Sequence, residues 1–345
     1  MSDWAAAAGS GEMSAEQIDR AARWLLDEGV PAEAKASFLE VWHRRGETPA
    51  EVVALAGTVL THAQPFEVPA GLRPVIDVCG TGGDKLGLFN VSTAVMFVAA
   101  GAGARVVKHG NRGITSKSGG ADVLETLGVP VDLPVPQLYD MLEEAGAVFL
   151  FAPCFHPAFK AVGPARKILA ERGQPSVFNM IGPLLNPARP EGQLAGVFSE
   201  ALISLYADVL PHLGRHRAWV VHGKAVPDGV MDEISTLGPT LIAKLSPSGP
   251  VRETVQPGDL GVPAAVLGDL RGGDAVENAR LLTEILRGER RGAARDIVVV
   301  NAAAALIVAG LTDDWSEARE RAVAALESGA ADDVLRRMRR VAGMV

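Results

Sequence analysis

The chain has 345 residues, 48% hydrophobic and 21% charged, with a net charge of −8. That length and apolar content suffice for a large core in one or two domains. The negative balance argues against a nucleic-acid backbone as the main partner, while leaving room for a small anionic ligand held by backbone N–H groups and a few bases.

Residues 1–13 have the composition of a disordered, frayed tail. Residues 14–64 read as purely helical. Ser14 with Gln17, and Thr48 with Glu51 behind Pro49, are capping-box patterns, and Pro31 opens the helix between them. From Val75 onward, short β-branched runs (75–79, 104–109, 147–152, 193–198 and 217–223) alternate with Ala-rich segments of helical length. This is the pattern of an α/β fold with a mainly parallel central sheet. Residues 239–270, richer in Pro, Gly and Val, are expected to add antiparallel strands, and 276–345 returns to helix. Cys79 and Cys154 are far apart and lack ligand spacing, as expected of reduced, buried thiols in a cytoplasmic protein. The start of the chain lacks the basic region and apolar run of a signal peptide, and no apolar run is long enough to span a bilayer.

Four stretches carry chemistry. The first is GTGGD with NVST, covering Gly80, Gly82, Gly83, Asp84, Asn90, Val91, Ser92 and Thr93. A glycine turn beyond a parallel strand brings backbone N–H groups to a phosphate, and a helix expected to begin at Ser92 or Thr93 adds its positive end. Neither a P-loop nor a GxGxxG fingerprint is present. The second is KHGNRGITSKSGGAD, from Lys108 to Asp122. It offers Lys108, His109, Gly110, Asn111, Arg112, Gly113, Ile114, Thr115, Ser116 and Gly120, a set suited to a polyanion. The third is Asp232-Glu233, adjacent carboxylates suited to Mg²⁺. The fourth is FHPAFKAVGPAR, where His156 and Arg166 would lie roughly three turns apart on one face of a helix bent at Pro164. Taken singly, each also fits a bland role: a capped tight turn, a solvated basic loop, surface charge, or a helix cap.

Together and in this order, with VFNMIGPLLNPA after them, these motifs resemble the anthranilate phosphoribosyltransferase family from about residue 14 onward. Pyrimidine nucleoside phosphorylases share the fold but carry a different phosphate loop.

The resemblance implies transfer of phosphoribosyl from 5-phosphoribosyl 1-diphosphate to the amine of anthranilate, in tryptophan biosynthesis. It implies a small helical domain of residues 14–70, with a contribution from about 156–190, and a larger α/β domain of 71–345. The diphosphate would lie on Gly80, Gly83, Asp84 and Asn90–Thr93, with Lys108, His109, Gly110, Asn111–Ser116 and Gly120 holding the remaining phosphate and ribose. Ser92 and Glu233 would bind one Mg²⁺, and Asp232 with Glu233 a second. Gly80, Asn111, His156, Phe159 and Arg166 would line the anthranilate path. A homodimer through the helical domain is implied, with no nucleic-acid or membrane partner. No catalytic residue is assigned, because an uncharged aromatic amine needs no base to free its lone pair; His109 and His156 are candidates to assist the later proton loss.

Residues around 170–175 and 224–230 read as insertions, and Phe159 stands where Met or Tyr is expected of relatives. Two alternatives remain: another aromatic amine as acceptor, and a nucleic-acid-binding non-enzyme on the same scaffold, against which the intact GTGGD loop and acidic charge argue.

Overall fold

The computed structural model describes residues 4–83, 86–113, 117–246 and 248–344. Helices α1 (Trp4–Ser10), α2 (Ala15–Leu25), α3 (Ala32–Arg45) and α4 (Pro49–Thr61) come first. Both capping boxes form, at Ser14 and Thr48, and Pro31 and Pro49 stand where α3 and α4 begin. The expectation of a disordered tail is corrected for residues 4–10. They form α1, whose Trp4 and Ala8 are buried and which packs on α3. So short a helix is marginal alone; burial of the indole supplies what its own sequence does not.

Next come β1 (Ile76–Gly80), α5 (Val91–Gly101), β2 (Val106–Gly110), α6 (Gly120–Thr126), α7 (Val135–Ala145) and β3 (Ala147–Phe151). They are followed by α8 (Ala152–Phe155), α9 (Gly163–Glu171), β4 (Gly192–Gly196), α10 (Ala201–His212), β5 (Arg217–Ala225) and β6 (Gly229–Met231). Last are β7 (Thr240–Lys244), β8 (Val251–Val255), α11 (Ala275–Leu286), α12 (Ala293–Val308), α13 (Trp315–Glu327) and α14 (Ala330–Val341). The sheet runs β3-β2-β1-β4-β5-β7-β8, with β6 also paired to β5. β1 to β5 are mutually parallel, and β7 and β8 are antiparallel additions. The mainly parallel α/β sheet expected from the alternating pattern is therefore present. The 224–230 segment, read as an insertion, is a β5–β6 hairpin in which Lys224 opposes Val230.

Two apolar clusters cover the sheet. One joins α5, α7 and α11–α14 to Ile76, Val78, Leu194 and Val221. The other joins α1–α4, α9 and α10 to Ala195, Val197, Ala218 and Val220. Along β4 and β5 successive residues alternate between the two clusters, as the pleat requires, whereas the clustered residues of β1, β2 and β3 belong to the first. The predominantly apolar α5 and α12 fit because they are buried on nearly every side. Cys79 is buried, but Cys154 is exposed, which corrects the expectation of two buried thiols; both are free. Cys154 sits on α8, where of the helix's own residues only Phe155 is buried.

Glu51 ties the helical layer together. Its fully buried carboxylate accepts from Met13 N at 2.8 Å, Thr48 N at 3.0 Å and Trp42 Nε1 at 3.1 Å, and pairs with Arg45. Burial alone pushes this carboxyl upward, but Arg45 and the N–H donors outweigh it and hold it below the ordinary glutamate range. A depressed folded value gives stability that is full above the unfolded glutamate pKa and lost as pH falls through the folded one. Glu51→Ala, which leaves Arg45 and three donors without their acceptor, is expected to cost about 3 kcal/mol in urea unfolding at neutral pH. The gap from wild type should narrow as pH drops below about 4; a gap independent of pH would refute the ionised role.

Candidate functional site

Strand order reverses at β1, with β2 and β3 on one side and β4 and β5 on the other. The loops leaving the carboxyl ends diverge there and open a crevice, the usual ligand position in such sheets. Gly80 and Gly196 end β1 and β4 and are register partners. Asp232 lies directly against them. A Cβ on Gly80 would come 2.1 Å from Asp232 Oδ2, and one on Gly196 would come 1.6 Å from the Asp232 carbonyl oxygen. Gly223 of β5 does the same for the next residue, its Cβ position lying 2.6 Å from the Glu233 carbonyl oxygen. Bare backbone at the ends of β1 and β4 and within β5 thus seats the acidic pair.

The glycine loop then turns over Asp232. Gly82 N donates to Asp232 Oδ2 at 2.6 Å. Gly82 and Gly83 sit at φ +71° and +90°, a region side chains disfavour. Thr81 N donates to the Gly196 carbonyl, and Phe198 N donates to Thr81 Oγ1, so the loop stays tied to β4 one residue past the strand. Burial pushes the Asp232 carboxyl above its ordinary value, although the Gly82 N–H and the Lys108 charge pull it down. Glu233 is half-buried beside it. Asp84, Ile114, Thr115 and Ser116 lie outside the described residues.

Helix α5 starts at Val91 with Asn90 as its cap residue, one position before the expected Ser92. Asn90 makes no side-chain cap. Its amide instead donates to the Ser118 carbonyl and accepts from Asn278 Nδ2 at 2.9 Å, joining the first loop to the second and to α11. Lys108, almost fully buried, donates from Nζ to Ser92 Oγ at 3.1 Å and to the Val78 carbonyl. Val91 and Thr93 are buried, and Gly120 packs against Thr93, its Cβ position 3.2 Å from the threonine Oγ1. Ser92 and Lys108 are therefore brought together at the base of the crevice.

The ends of the second loop are closed by Asp122, which accepts from Gly113 N at 2.9 Å and Gly119 N at 2.8 Å. Gly119 must be glycine, because a Cβ would sit 2.3 Å from Gly113 N. Asn111 Oδ1 accepts from Arg112 N, and its carbonyl accepts from Ala121 N. Arg112 pairs with Asp122 and Glu125 on the exposed side and lies over the Phe151 ring. Gly110 backs onto Phe149.

His156 and Arg166 do not share one helix, which corrects the sequence expectation. α8 ends at Phe155, a 3₁₀ turn covers Pro157–Ala161, and Pro164 sits in the first turn of α9 instead of bending a longer helix. A line of rings connects the two residues. His109 meets His156 edge-on at 5.1 Å, His156 stacks on Phe159 at 5.3 Å, Phe159 meets Phe178 at 5.5 Å, and the Arg166 guanidinium lies 5.9 Å from the Phe178 centroid. His156 Nε2 donates to the Leu185 carbonyl at 2.8 Å, which leaves Nδ1 as a buried lone pair without a partner. Burial lowers the pKa of His156, and with help from His156 it lowers that of His109 to about 3. Burial also lowers that of Arg166.

Sequence reading missed Asp122, Asn278 and Asn301 as members of the site. Asn301, which bonds both backbone groups of Ile234 next to Glu233, gave a signal, being the one polar residue between Ile297 and Val308. Asn278 gave none, since its amide becomes meaningful only when Asn90 arrives beside it.

The family described as "Glycosyl transferase family, a/b domain" matches residues 72–332. The chain is 44% identical over 335 residues to the anthranilate phosphoribosyltransferase of Rubrobacter xylanophilus, across 97% of this chain and 95% of that one. The crystal structure of anthranilate phosphoribosyltransferase from Thermus thermophilus superposes with a TM-score of 0.89 at 37% identity, covering 98% and 99% of the two chains. The Saccharomyces cerevisiae enzyme in complex with PRPP and Mg superposes at 0.84 with 26% identity, covering 96% and 93%.

Because a buried imidazole with so low a pKa stays neutral, His109 should show no titration between pH 5 and 8 in imidazole NMR spectra. A midpoint within that window would contradict the burial described here.

Proposed function

The chain belongs to the anthranilate phosphoribosyltransferase family, and we propose that it transfers the phosphoribosyl group of 5-phosphoribosyl 1-diphosphate to the amine of anthranilate, releasing diphosphate. The observation that carries this reading is the meeting of a glycine loop, a second N–H-rich loop and an acidic pair at the carboxyl ends of β1, β2 and β4.

In the reaction the bond from ribose C1 to the diphosphate oxygen breaks and a C1–N bond forms. Positive charge develops on the sugar and negative charge on the leaving group, so positioning and charge stabilisation dominate. In this reading, the bare backbone at Gly80 and Gly83 and the positive end of α5 receive the diphosphate, the Thr81 and Gly82 N–H groups being taken by Gly196 and Asp232. Lys108 supplies a fixed positive charge at their base, oriented by Ser92 and the Val78 carbonyl. Asn90 keeps the two loops in register. The second loop, Asn111–Gly120, takes the remaining phosphate and the ribose.

Anthranilate is a flat ring bearing a carboxylate. The ring line from His156 through Phe159 to Phe178 offers it an aromatic wall, with Arg166 at the end for the carboxylate. Neutral His109 and His156 add no competing charge there. Either could accept the amine proton after the new bond forms, His156 through Nδ1.

The donor set suits Mg²⁺. Asp232, Glu233 and Ser92 offer only oxygen, and the Asp232 carboxyl, pushed upward by burial, is a charge that a divalent cation would compensate. We read two ions per site, one on Ser92 and Glu233 and one on Asp232 and Glu233; when bound, they neutralise charge on the departing diphosphate. The yeast relative solved with PRPP and Mg, and its complex with 4-fluoroanthranilate, support the donor, metal and acceptor classes. We also read the chain as a cytoplasmic homodimer in contact through the small helical lobe of residues 14–70, to be tested by analytical ultracentrifugation.

Incubating the purified protein with anthranilate, donor and Mg²⁺ should produce a rapid, Mg²⁺-dependent loss of anthranilate fluorescence. No loss, with donor binding intact by calorimetry, would move the acceptor to another aromatic amine. Glu233→Ala is expected to lower Mg²⁺-dependent turnover at least about a hundredfold with an unchanged far-UV spectrum; normal activity would remove Glu233 from the metal site. Arg166→Ala should raise the KM for anthranilate about tenfold while changing the KM for the donor less than about twofold. Equal effects on both would exclude Arg166 as an acceptor residue.

A further inference from the structure

We infer that Asn301, on α12 and remote in sequence from every motif of the site, is a positioning residue that sets the orientation of the Asp232–Glu233 pair. The inference rests on the reading of that pair as the metal-binding residues.

Asn301 is fully buried, and from Ile297 to Val308 every other residue of α12 is apolar and buried. An amide in such surroundings is costly unless its hydrogen bonds are made. Here all are made. Oδ1 accepts from Ile234 N at 2.9 Å, and Nδ2 donates to the Ile234 carbonyl at 3.0 Å and to the Ile297 carbonyl, one helical turn back, at 2.9 Å. The side chain thus grips both backbone groups of the residue that follows Glu233, much as a neighbouring strand would. Ile234 N belongs to the Glu233–Ile234 peptide, so its bond fixes the plane of the peptide that carries the Glu233 carbonyl.

Holding the loop in place does not by itself require this residue. The downstream part is closed independently, by Ser235 N on Thr240 Oγ1 at 2.8 Å, Ser235 Oγ on the Lys224 carbonyl at 2.6 Å, and Leu237 N on Ser235 Oγ at 2.9 Å. Upstream, the loop follows β6 directly. Asn301 acts between these anchors, at the acidic pair. Gly196 and Gly223 touch the Asp232 and Glu233 carbonyl oxygens from the sheet, Gly82 N holds the Asp232 carboxylate from the glycine loop, and Asn301 fixes the residue behind. Groups that orient ligands in this way typically alter metal affinity about ten- to a hundredfold when removed.

The test is Asn301→Leu, which keeps the bulk and removes all three bonds. The Mg²⁺ concentration for half-maximal turnover should rise about tenfold or more, while the KM for anthranilate changes less than about twofold. Calorimetric titration of the variant with 5-phosphoribosyl diphosphate should show the same weakening at limiting Mg²⁺ and recovery at high Mg²⁺. If that variant does not fold, Asn301→Ser keeps a hydroxyl able to bond the Ile297 carbonyl within the helix and loses the grip on Ile234. An unchanged Mg²⁺ requirement in a folded variant, whatever its melting temperature, would overturn the inference. So would equal losses of donor and anthranilate affinity at saturating Mg²⁺. Glu233→Gln in the same titrations separates the two layers. If it shifts the Mg²⁺ requirement and Asn301→Leu does not, only the positioning role fails. If neither does, the metal assignment of the pair fails with it.

Discussion

The steric contact between Asp232 and the backbone of Gly80 and Gly196 governs the rest of the site. A carboxylate-bearing loop can lie across the ends of parallel strands only where those strands have no side chains, and here three neighbouring strands end in or carry a glycine at that level. Because Gly80 and Gly196 are register partners, the clearance is one continuous surface. The same contact explains the double duty of the first glycine turn. Its positive-φ residues turn the backbone over the strand ends, and one of them, Gly82, donates its N–H to the acidic side chain. The glycine loop and the acidic pair are thereby built as one object.

Beneath this surface lies a seam of buried charge. Asp77 accepts from His109 N and from Asn186 Nδ2, and Asn186 also reaches the Val107 carbonyl. Gln193 donates to the Pro183 carbonyl and to Cys79 Sγ while accepting from Arg215. Burial raises the Asp77 carboxyl and lowers the Arg215 guanidinium to about 10. Side chains pinned on so many sides cannot follow solvent, so strands β1, β2 and β4 form a rigid, water-poor floor under the crevice, where Lys108 acts with little screening. The neutral histidines belong to the same environment: burial strips their charge and leaves ring surface and one lone pair.

The helical layer matters to the site through packing more than through its own residues. It shares one apolar cluster with the sheet face opposite α5 and α12, and that cluster contains Phe178 and touches Phe159, two members of the ring line leading to Arg166. Arg166 itself stands on α9, which packs against α3. The ring line to Arg166 is therefore carried by the helical layer, whereas the two loops are fixed to the sheet.

The strand alternation, both capping boxes and the loops GTGGD, NVST and KHGNRGITSKSGGAD were legible in the sequence because each depends on neighbours a few residues away: a pleat of two, a cap reaching three residues, a turn made possible by its own glycines. The Asp232-Glu233 pair was legible as chemistry but not as a place. Four features were not legible. Trp4 and Ala8 make α1 a helix only because α3 is there to bury them. The break at His156–Gly163, where Pro157 opens a 3₁₀ turn and Pro164 sits in the first turn of α9, replaces one long helix, and only packing lines its rings up with Phe178. The roles of Asn278 and Asn301 depend on which backbone arrives beside them. Gly80 and Gly196 are required to be bare by a residue far along the chain. Local periodicity and turn chemistry set by the sequence determined the elements and the residue types available for anion and metal. Only the tertiary structure decided which of them meet, because an amide, a carboxylate or a missing Cβ takes its meaning from the partner that packing brings within about 3 Å.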